Sequence, residues 1–195
     1  MKLRPDLQLI ADWIKPGASV LDLGCGDGAL LSYLQREKQC HGYGVEIDAR
    51  EVLTALRGGV SVIQQDIEGG LGMFRAAQFD VVVLSMAIQA THQTEQVLRE
   101  MSEVGTDCIV SFPNFGHWTH ALAILTGHMP VSRELPYQWF DTPNLHMTTL
   151  ADFEQFLDRL NMSVTARACL ANGRSIHTLP GLRATQGIYR FRRTV

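Results

Sequence analysis

Apolar and polar residues follow each other along the chain in the rhythm strand, helix, strand. Short apolar runs predict strands that are buried on both faces of a sheet. Apolar residues three and four positions apart, as at Leu7, Ile10 and Ile14, predict amphipathic helices. Seven strands are predicted, at residues 19–23, 41–46, 60–63, 79–84, 108–112, 162–169 and 185–191. Helices are predicted around residues 7–14, 30–34, 52–56, 94–101, 118–125 and 153–160, the last after a capping box of Thr149 and Asp152.

Strands that alternate with helices of this length indicate a mainly parallel, doubly wound α/β sheet with right-handed crossovers. In such a sheet the carboxyl ends of the strands meet along one edge, and ligands bind there. The 195 residues fit one α/β domain that covers residues 1–195. We therefore expect a binding site in the loops that follow the strands.

Residues 128–148 interrupt this rhythm. Three prolines in the segment prevent a regular helix. Tyr137, Trp139 and Phe140 add large apolar side chains, which are common both in cores and in interfaces. The segment is predicted to be an ordered insertion that serves as a lid or an interface. The sequence leaves open whether the protein is a homodimer.

The composition is that of a globular chain. Apolar residues make up 46% of the sequence and charged residues 19%, so a core can form and the charge is too low for a disordered chain. The apolar runs fall well short of the roughly 20 residues that span a bilayer, and the first residues lack the features of a secretory signal. The four cysteines form no C-x-x-C pair and fit reduced thiols. These features predict a cytoplasmic protein with no membrane partner.

The formal charge of −3 conceals a basic carboxyl-terminal part. Residues 159–195 carry seven basic and no acidic side chains. Arg190, Arg192 and Arg193 surround Tyr189 and Phe191 nearly at alternate positions, as on the solvent face of a strand. This pattern does not favour nucleic-acid binding.

A glycine-rich loop follows the first predicted strand, at residues 24–29. It contains both G-x-G-x-G and G-x-G-x-x-A, and the second pattern is also a dinucleotide fingerprint. Both patterns need glycines for the same reason, because side chains would block the tight turn and the approach of a ligand to the backbone. Five carboxylates lie in this loop or near the ends of the first three strands: Asp22, Asp27, Glu46, Asp48 and Asp66.

These carboxylates distinguish a site for a dinucleotide from a site for a cationic ligand. Converging at one edge, they would repel the pyrophosphate of a dinucleotide. S-adenosylmethionine carries a sulfonium and an ammonium group, and its ribose hydroxyls can donate hydrogen bonds to carboxylates. A simpler alternative is that Asp27 caps the next helix and that Asp66 caps a turn. Capping alone is a poor explanation for carboxylates at several successive strand ends, so we infer S-adenosylmethionine.

The segment from Val20 to Gly28, with Glu46 and Asp66, resembles class I S-adenosylmethionine-dependent methyltransferases. The resemblance implies a seven-stranded sheet of order 3-2-1-4-5-7-6. It also implies that the glycine loop lies along the methionine part, that Glu46 binds the ribose and that Asp66 binds the adenine amine beside Ile67. The implied cofactor-binding set is Asp22, Gly24, Cys25, Gly26, Asp27, Gly28, Glu46, Ile47, Asp66, Ile67 and Ser85.

No catalytic base is obvious from the sequence. His92 and His146 are the candidates for that role. His117 and His120 lie three apart on a predicted helix, but a metal site would need a third ligand that the sequence does not place. No metal site is predicted.

Three longer segments carry a narrower resemblance, at residues 84–90, 109–118 and 135–146. They are similar to the MetW family of methionine-biosynthesis proteins, and the similarity extends over almost the whole chain. The resemblance implies a protein that holds S-adenosylmethionine or S-adenosylhomocysteine and acts with homoserine O-acyltransferase. The alternative is a true methyltransferase that acts on a small molecule, so the sequence leaves open whether the protein is an enzyme.

Overall fold

The computed structural model describes residues 3–194. The strands are β1 (Ser19–Leu23), β2 (His41–Glu46), β3 (Val62–Gln64), β4 (Phe79–Ser85), β5 (Gly105–Pro113), β6 (Met162–Ala171), β7 (Arg174–Ser175) and β8 (Gln186–Arg193). The helices are α1 (Pro5–Trp13), α2 (Ala29–Lys38), α3 (Ala49–Arg57), α4 (Thr94–Val104), α5 (Trp118–Leu125), α6 (Leu150–Arg159) and α7 (Pro180–Arg183). Within the described range, no helix is both long and apolar enough to cross a membrane. The prediction of one domain over residues 1–195 stays a prediction, and residues 1, 2 and 195 lie outside the described range.

All eight strands belong to one sheet, in the order β3-β2-β1-β4-β5-β8-β6-β7. β1 to β5 pair in parallel, whereas β8 is antiparallel to both β5 and β6. Without the two-residue strand β7, this is the predicted order 3-2-1-4-5-7-6, and the α/β class is confirmed. The prediction of seven strands misses β7, which pairs with the end of β6. The turn between them is Asn172-Gly173, both at positive φ, a pair that favours a tight hairpin.

Several predicted boundaries agree with the structure. β1, β2 and α5 have the predicted bounds. β3 begins at Val62 instead of Val60, because the Val60 N–H donates to the Ala55 carbonyl at 3.1 Å and so closes the end of α3. Hydrogen bonding at the end of the preceding helix therefore sets the start of this strand.

The core has one layer on each face of the sheet. Val20, Val83 and Ile109 pack with α1 and α2 on one face. Their neighbours Leu21 and Leu84 face the other side and pack with α4 and α6. Because side chains alternate along a strand, Asp22, Ser85 and Ser111 lie on the α1 face, two residues beyond the first three. These three polar side chains therefore lie near the carboxyl edge of the sheet.

The basic end of the chain is only partly solvent-facing. Arg192 and Arg193 are exposed, as predicted. The same prediction is wrong for Arg190, whose side chain is 23% exposed. It forms an ion pair with Asp107 and donates to the Trp13 carbonyl at 3.2 Å. Arg190 therefore ties β8 to β5 and to α1.

Residues 126–149 form turns and bends between α5 and α6. Leu135 is buried, and the N–H groups of Leu145 and His146 donate to the Gln89 carbonyl at 2.8 and 3.0 Å. Among the described residues, eleven of the nineteen large exposed apolar side chains lie between residues 118 and 147. We call residues 118–147 the exposed apolar segment. The role of residues 128–148 as a lid or an interface stays a prediction.

Candidate functional site

The glycine loop joins β1 to α2 at the carboxyl edge of the sheet. Gly24, Gly26 and Gly28 have φ angles of 66°, 53° and 75°, a left-handed conformation that other residues rarely adopt. A Cβ atom on Gly28 would come within 3.0 Å of the Ala55 Cβ and 3.1 Å of a Val60 methyl group. A Cβ atom on Gly26 would meet no atom within 4 Å. Gly28 thus allows close packing on α3, and Gly26 leaves open space beside the loop.

Glu46, at the end of β2, organises the neighbouring backbone. One carboxylate oxygen accepts the Gly26 N–H at 2.9 Å, and the other accepts the N–H groups of Ile47 and Asp48 at 2.8 and 2.9 Å. Three donors fix the orientation of the carboxylate and spread its charge. A ribose that bound here would share these oxygens with the loop.

Two other carboxylates accept nearby backbone N–H groups: Asp66 caps a helical turn, and Asp27 lies one position before Gly28, the N-cap of α2. Asp27 accepts the Ala29 N–H at 3.1 Å at the start of α2, and Asp66 accepts the Glu68 N–H at 2.9 Å. Both contacts form in the same molecule, contrary to our inference that capping is a poor explanation for this cluster. Each contact uses one oxygen of the carboxylate, so the other oxygen remains for a ligand. The positions of Asp27 and Asp66 alone therefore do not require one.

Asp22 is the carboxylate that no cap explains. Its side chain is buried, with 3% of the residue exposed, and it makes no hydrogen bond within residues 3–194. Burial raises the pKa of Asp22 to about 7; the charge of Arg4 opposes this rise and that of Glu46 adds to it. A buried carboxylate without a partner is costly, and a cationic group would relieve that cost.

A cleft of about 450 Å³ opens at this edge, within the size range of ligand pockets. Six predicted cofactor residues line it: Gly24, Glu46, Ile47, Asp66, Ile67 and Ser85. Cys25 does not, since its side chain packs beneath Gly44. Burial and the charges of Asp22 and Glu46 raise the pKa of Cys25 to about 12, so the thiol stays neutral. Asp22, Gly26, Asp27 and Gly28 are also not among the residues that line the cleft.

The two candidate bases are exposed and lie next to a second, larger cavity. This cavity has a volume of about 910 Å³ and lies between α4 and α6. His92 and His146 both line it, and His92 also lines the smaller cleft. The structure therefore places His92, but not His146, at the junction between the two spaces.

His117 and His120 serve the start of α5. The His117 Nδ1 lies 2.7 Å from the Thr119 hydroxyl and caps the helix. The His120 Nδ1 lies 3.3 Å from the Phe115 carbonyl. Within residues 3–194, no three histidine, cysteine or acidic side chains are arranged to hold a metal ion.

The sequence interpretation missed three polar residues near this edge of the sheet. They are Arg4 and Asp6 at the start of α1, and Ser111 near the end of β5. Asp6 and Ser111 are buried. The Ser85 hydroxyl joins them: it lies 3.5 Å from the Asp6 carboxylate and 3.0 Å from the Ser111 hydroxyl. A polar residue at position 111 within an otherwise apolar strand was the available signal.

A family model described as "Methionine biosynthesis protein MetW" matches residues 4–191 of this chain. The chain belongs to the MetW family. A curated relative, the bifunctional methionine biosynthesis protein MetXA/MetW of Rhodopirellula baltica, is 35% identical, and the match covers 83% of this chain and 28% of the relative. This MetW-family chain therefore spans less than a third of that relative.

Solved structures agree with the methyltransferase-like fold. An S-adenosylmethionine-dependent methyltransferase from Mesorhizobium loti superimposes with a TM-score of 0.71 at 15% identity, covering 97% of this chain and 96% of that one. Another such methyltransferase, from Archaeoglobus fulgidus, also gives a TM-score of 0.71, at 14% identity, covering 96% of this chain and 91% of that one. At these identities the similarity establishes the fold of the MetW-family chain.

Proposed function

We propose that this MetW-family protein binds S-adenosylmethionine or S-adenosylhomocysteine at the carboxyl edge of the sheet and acts with homoserine O-acyltransferase in methionine biosynthesis. The observation that carries the binding proposal is Asp22, a buried carboxylate beside the glycine loop that has no hydrogen-bond partner within residues 3–194. A dinucleotide would bring its phosphates towards this charge and that of Glu46. A ligand with a cationic group and no phosphate suits the site better.

The residues around the cleft fit the parts of such a ligand. The oxygens of Glu46 can accept hydrogen bonds from ribose hydroxyls, and Asp66 has a second oxygen that can accept from the adenine amine. The backbone beside Ile67 lines the same cleft. Gly26 leaves room for the methionine part to pass along the loop. Glu46, Asp66 and the glycine loop would therefore each contact a different one of three parts of the ligand.

Calorimetry on the full chain tests the ligand. S-adenosylhomocysteine should bind, and Glu46→Gln should weaken binding by roughly tenfold or more because the charged acceptor is lost. Glu37→Gln, at an exposed position on α2, is the matched control and should bind like the wild type. Tight binding of NAD with no response to S-adenosylhomocysteine would overturn the proposal.

The bifunctional MetXA/MetW relative supports the proposal of an acyltransferase partner, because a bifunctional chain keeps two activities in one molecule. The exposed apolar segment supplies the kind of surface that an interface needs. Trp139 and Phe140 pack edge to face and are 71% and 70% exposed. Exposed aromatic side chains at this density mark interaction sites. We place the acyltransferase contact on this segment.

Light scattering and acyltransferase assays with the enzyme from the same organism test the partner. The double substitution Trp139→Ser and Phe140→Ser should weaken association by more than tenfold, because exposed aromatics supply much of an interface's binding energy. Leu53→Ser, at an exposed apolar position on α3, should leave it unchanged. Unchanged association of the double variant would refute this placement. The acyltransferase rate should differ with and without this protein, and equal rates would refute action with the acyltransferase.

A second function, methyl transfer to a small molecule, is favoured by His92. This side chain lines both the cleft and the larger cavity, so an acceptor in the larger cavity could meet the methyl group near it. Labelled S-adenosylmethionine and cell extract should then give a labelled product that His92→Asn reduces. His41→Asn, exposed at the start of β2, should not reduce it. No labelled product with the wild type would argue against catalysis.

A further inference from the structure

The larger cavity between α4 and α6 combines an apolar surface with an excess of acidic side chains. The buried side chains of Ile88 and Phe153 and the half-buried ring of Phe156 supply much of its apolar lining. Its volume of about 910 Å³ lies near the upper end of the range for ligand pockets. The charged part of the lining consists of four carboxylates and two guanidinium groups: Glu95, Glu100, Glu103, Asp152, Arg99 and Arg159.

Contacts within the protein neutralise only part of this negative charge. Arg99 forms an ion pair with Glu95 at 2.9 Å. Asp152 accepts the Thr149 hydroxyl at 2.7 Å through one oxygen, and its other oxygen stays available. The Glu103 carboxylate accepts no hydrogen bond and forms no ion pair within residues 3–194. Carboxylates on both helices can therefore accept hydrogen bonds from a ligand in the cavity.

Gln89 adds a buried acceptor to the same lining. Its Nε2 donates to the Met86 carbonyl at 2.7 Å, which fixes the orientation of the amide. Its Oε1 is buried and receives no hydrogen bond in the part of the chain that the structure describes. A buried acceptor without a donor costs free energy, which a donor on a ligand would recover. The amide oxygen and the carboxylates thus favour a ligand that donates hydrogen bonds.

We propose that the larger cavity binds a small organic amine, with its apolar body on the phenylalanine rings and its ammonium group on the carboxylates of the lining. An ammonium group donates up to three hydrogen bonds and carries the charge that this lining lacks. The Arg159 guanidinium lies 5.3 Å from the centroid of the Phe156 ring, so this ring already attracts a cation. As the acceptor in methyl transfer, such an amine rests on the second proposed function. Binding alone needs no methyl donor, so it is tested without S-adenosylmethionine.

The probe is 2-phenylethylamine, which joins an aromatic ring to one ammonium group. 2-Phenylethanol has the same ring with a neutral hydroxyl group, and 3-phenylpropanoate has it with a carboxylate. In an NMR titration of the isotope-labelled full chain, the amine should bind with a dissociation constant of roughly 1 mM, as expected for so small a ligand. The alcohol should bind roughly threefold or more weakly than the amine, and the carboxylate more weakly still, because the charged lining selects between them.

The double variant Glu103→Gln with Asp152→Asn should weaken binding of the amine by roughly threefold to tenfold and leave binding of the alcohol unchanged, since two negative charges are lost at exposed positions. Asn at position 152 keeps an oxygen that can accept the Thr149 hydroxyl. The matched control is Asp12→Asn with Glu37→Gln, which removes the same charge from exposed positions on α1 and α2, across the sheet from the cavity. It should bind the amine like the wild type.

The amide signals that shift should belong to residues 88–103 and 146–159, and an excess of S-adenosylhomocysteine should not displace the amine. No binding of the amine, equal binding of the amine and the alcohol, or displacement by S-adenosylhomocysteine would overturn the inference and leave nucleoside binding intact. An equal loss of amine binding in the two double variants would also overturn it. Binding of the amine in the cavity, without binding of S-adenosylhomocysteine, would support the inference and refute the proposed cofactor.

Discussion

The substitution Asp22→Asn should make the protein more stable at neutral pH while it weakens ligand binding. Asp22 is buried and has no hydrogen-bond partner within residues 3–194, so its charge opposes folding. Asparagine has nearly the same shape and no charge. A residue that serves only the fold would not be expected to behave in this way, whereas a ligand-binding residue often does.

The magnitude follows from the pKa of Asp22, which burial raises from 3.8 to about 7. Below the lower value the carboxyl is protonated in both the folded and the unfolded chain, and it has no effect on stability. As the pH rises towards 7, the unfolded chain loses its proton first, so stability falls by about 1.4 kcal/mol per pH unit. Above 7 the loss is complete, at about 4 kcal/mol. The stability difference between Asp22→Asn and the wild type should therefore grow between pH 4 and pH 8.

Urea unfolding at pH 4.5 and pH 8 measures this difference. The gain for Asp22→Asn should be small at the lower pH and about 3 to 4 kcal/mol at the higher one. Asp66→Asn removes an exposed carboxylate and keeps a capping amide, so it should show no comparable growth. A difference that is equal at the two pH values, or a wild type that is more stable than Asp22→Asn at pH 8, would refute the reasoning.

Three further predictions concern the ligand and the fold. Binding of S-adenosylhomocysteine should be roughly tenfold weaker at pH 6 than at pH 8 in calorimetry, since the pKa of about 7 leaves Asp22 mostly protonated at pH 6, with Arg4 and Glu46 as the neighbouring charges. Asp22→Asn should abolish this dependence. Gly28→Ala should lower the free energy of unfolding in urea by about 2 kcal/mol or more, because φ is positive and the added Cβ would lie 3.0 Å from the Ala55 Cβ. Gly127→Ala has the positive φ alone and should lower it less. Asn114→Ala should lower the free energy of unfolding by about 2 kcal/mol, because the buried Asn114 amide donates to two carbonyls. Asn114→Asp should not restore that stability, because a carboxylate cannot donate these bonds.

The sheet was predictable because its strands are short apolar runs with clear limits. Residues 19–23 and 41–46 end at a glycine loop and at an acidic residue, and both strands have those bounds. β7 was missed although the Asn172-Gly173 pair is a hairpin signal, because a two-residue strand has no hydrophobic pattern of its own. Local patterns thus predict long elements better than short ones.

The sequence predicts only those site residues that lie at or directly after the ends of strands. Glu46 and Asp66 lie in the cleft because the ends of parallel strands converge. Arg4 and Asp6 precede the first strand, and Asp6 meets Ser85 across 79 positions of sequence. Hydrophobic periodicity places α1 against the sheet but does not say which end of it reaches the carboxyl edge. A contact of that kind needs the folded structure.

The structure also changes which carboxylate supports a ligand. Asp27, Glu46 and Asp66 all accept backbone N–H groups, so each would have a reason to be present in a protein that bound nothing. Among residues 3–194 no backbone N–H donates to Asp22, and a pKa of about 7 corresponds to a loss of about 4 kcal/mol from a fold whose total stability is typically about 5 to 15 kcal/mol. A cation that pairs with Asp22 would return part of this energy as binding affinity. The unpaired carboxylate is therefore stronger support for a ligand than the number of acidic residues around the loop.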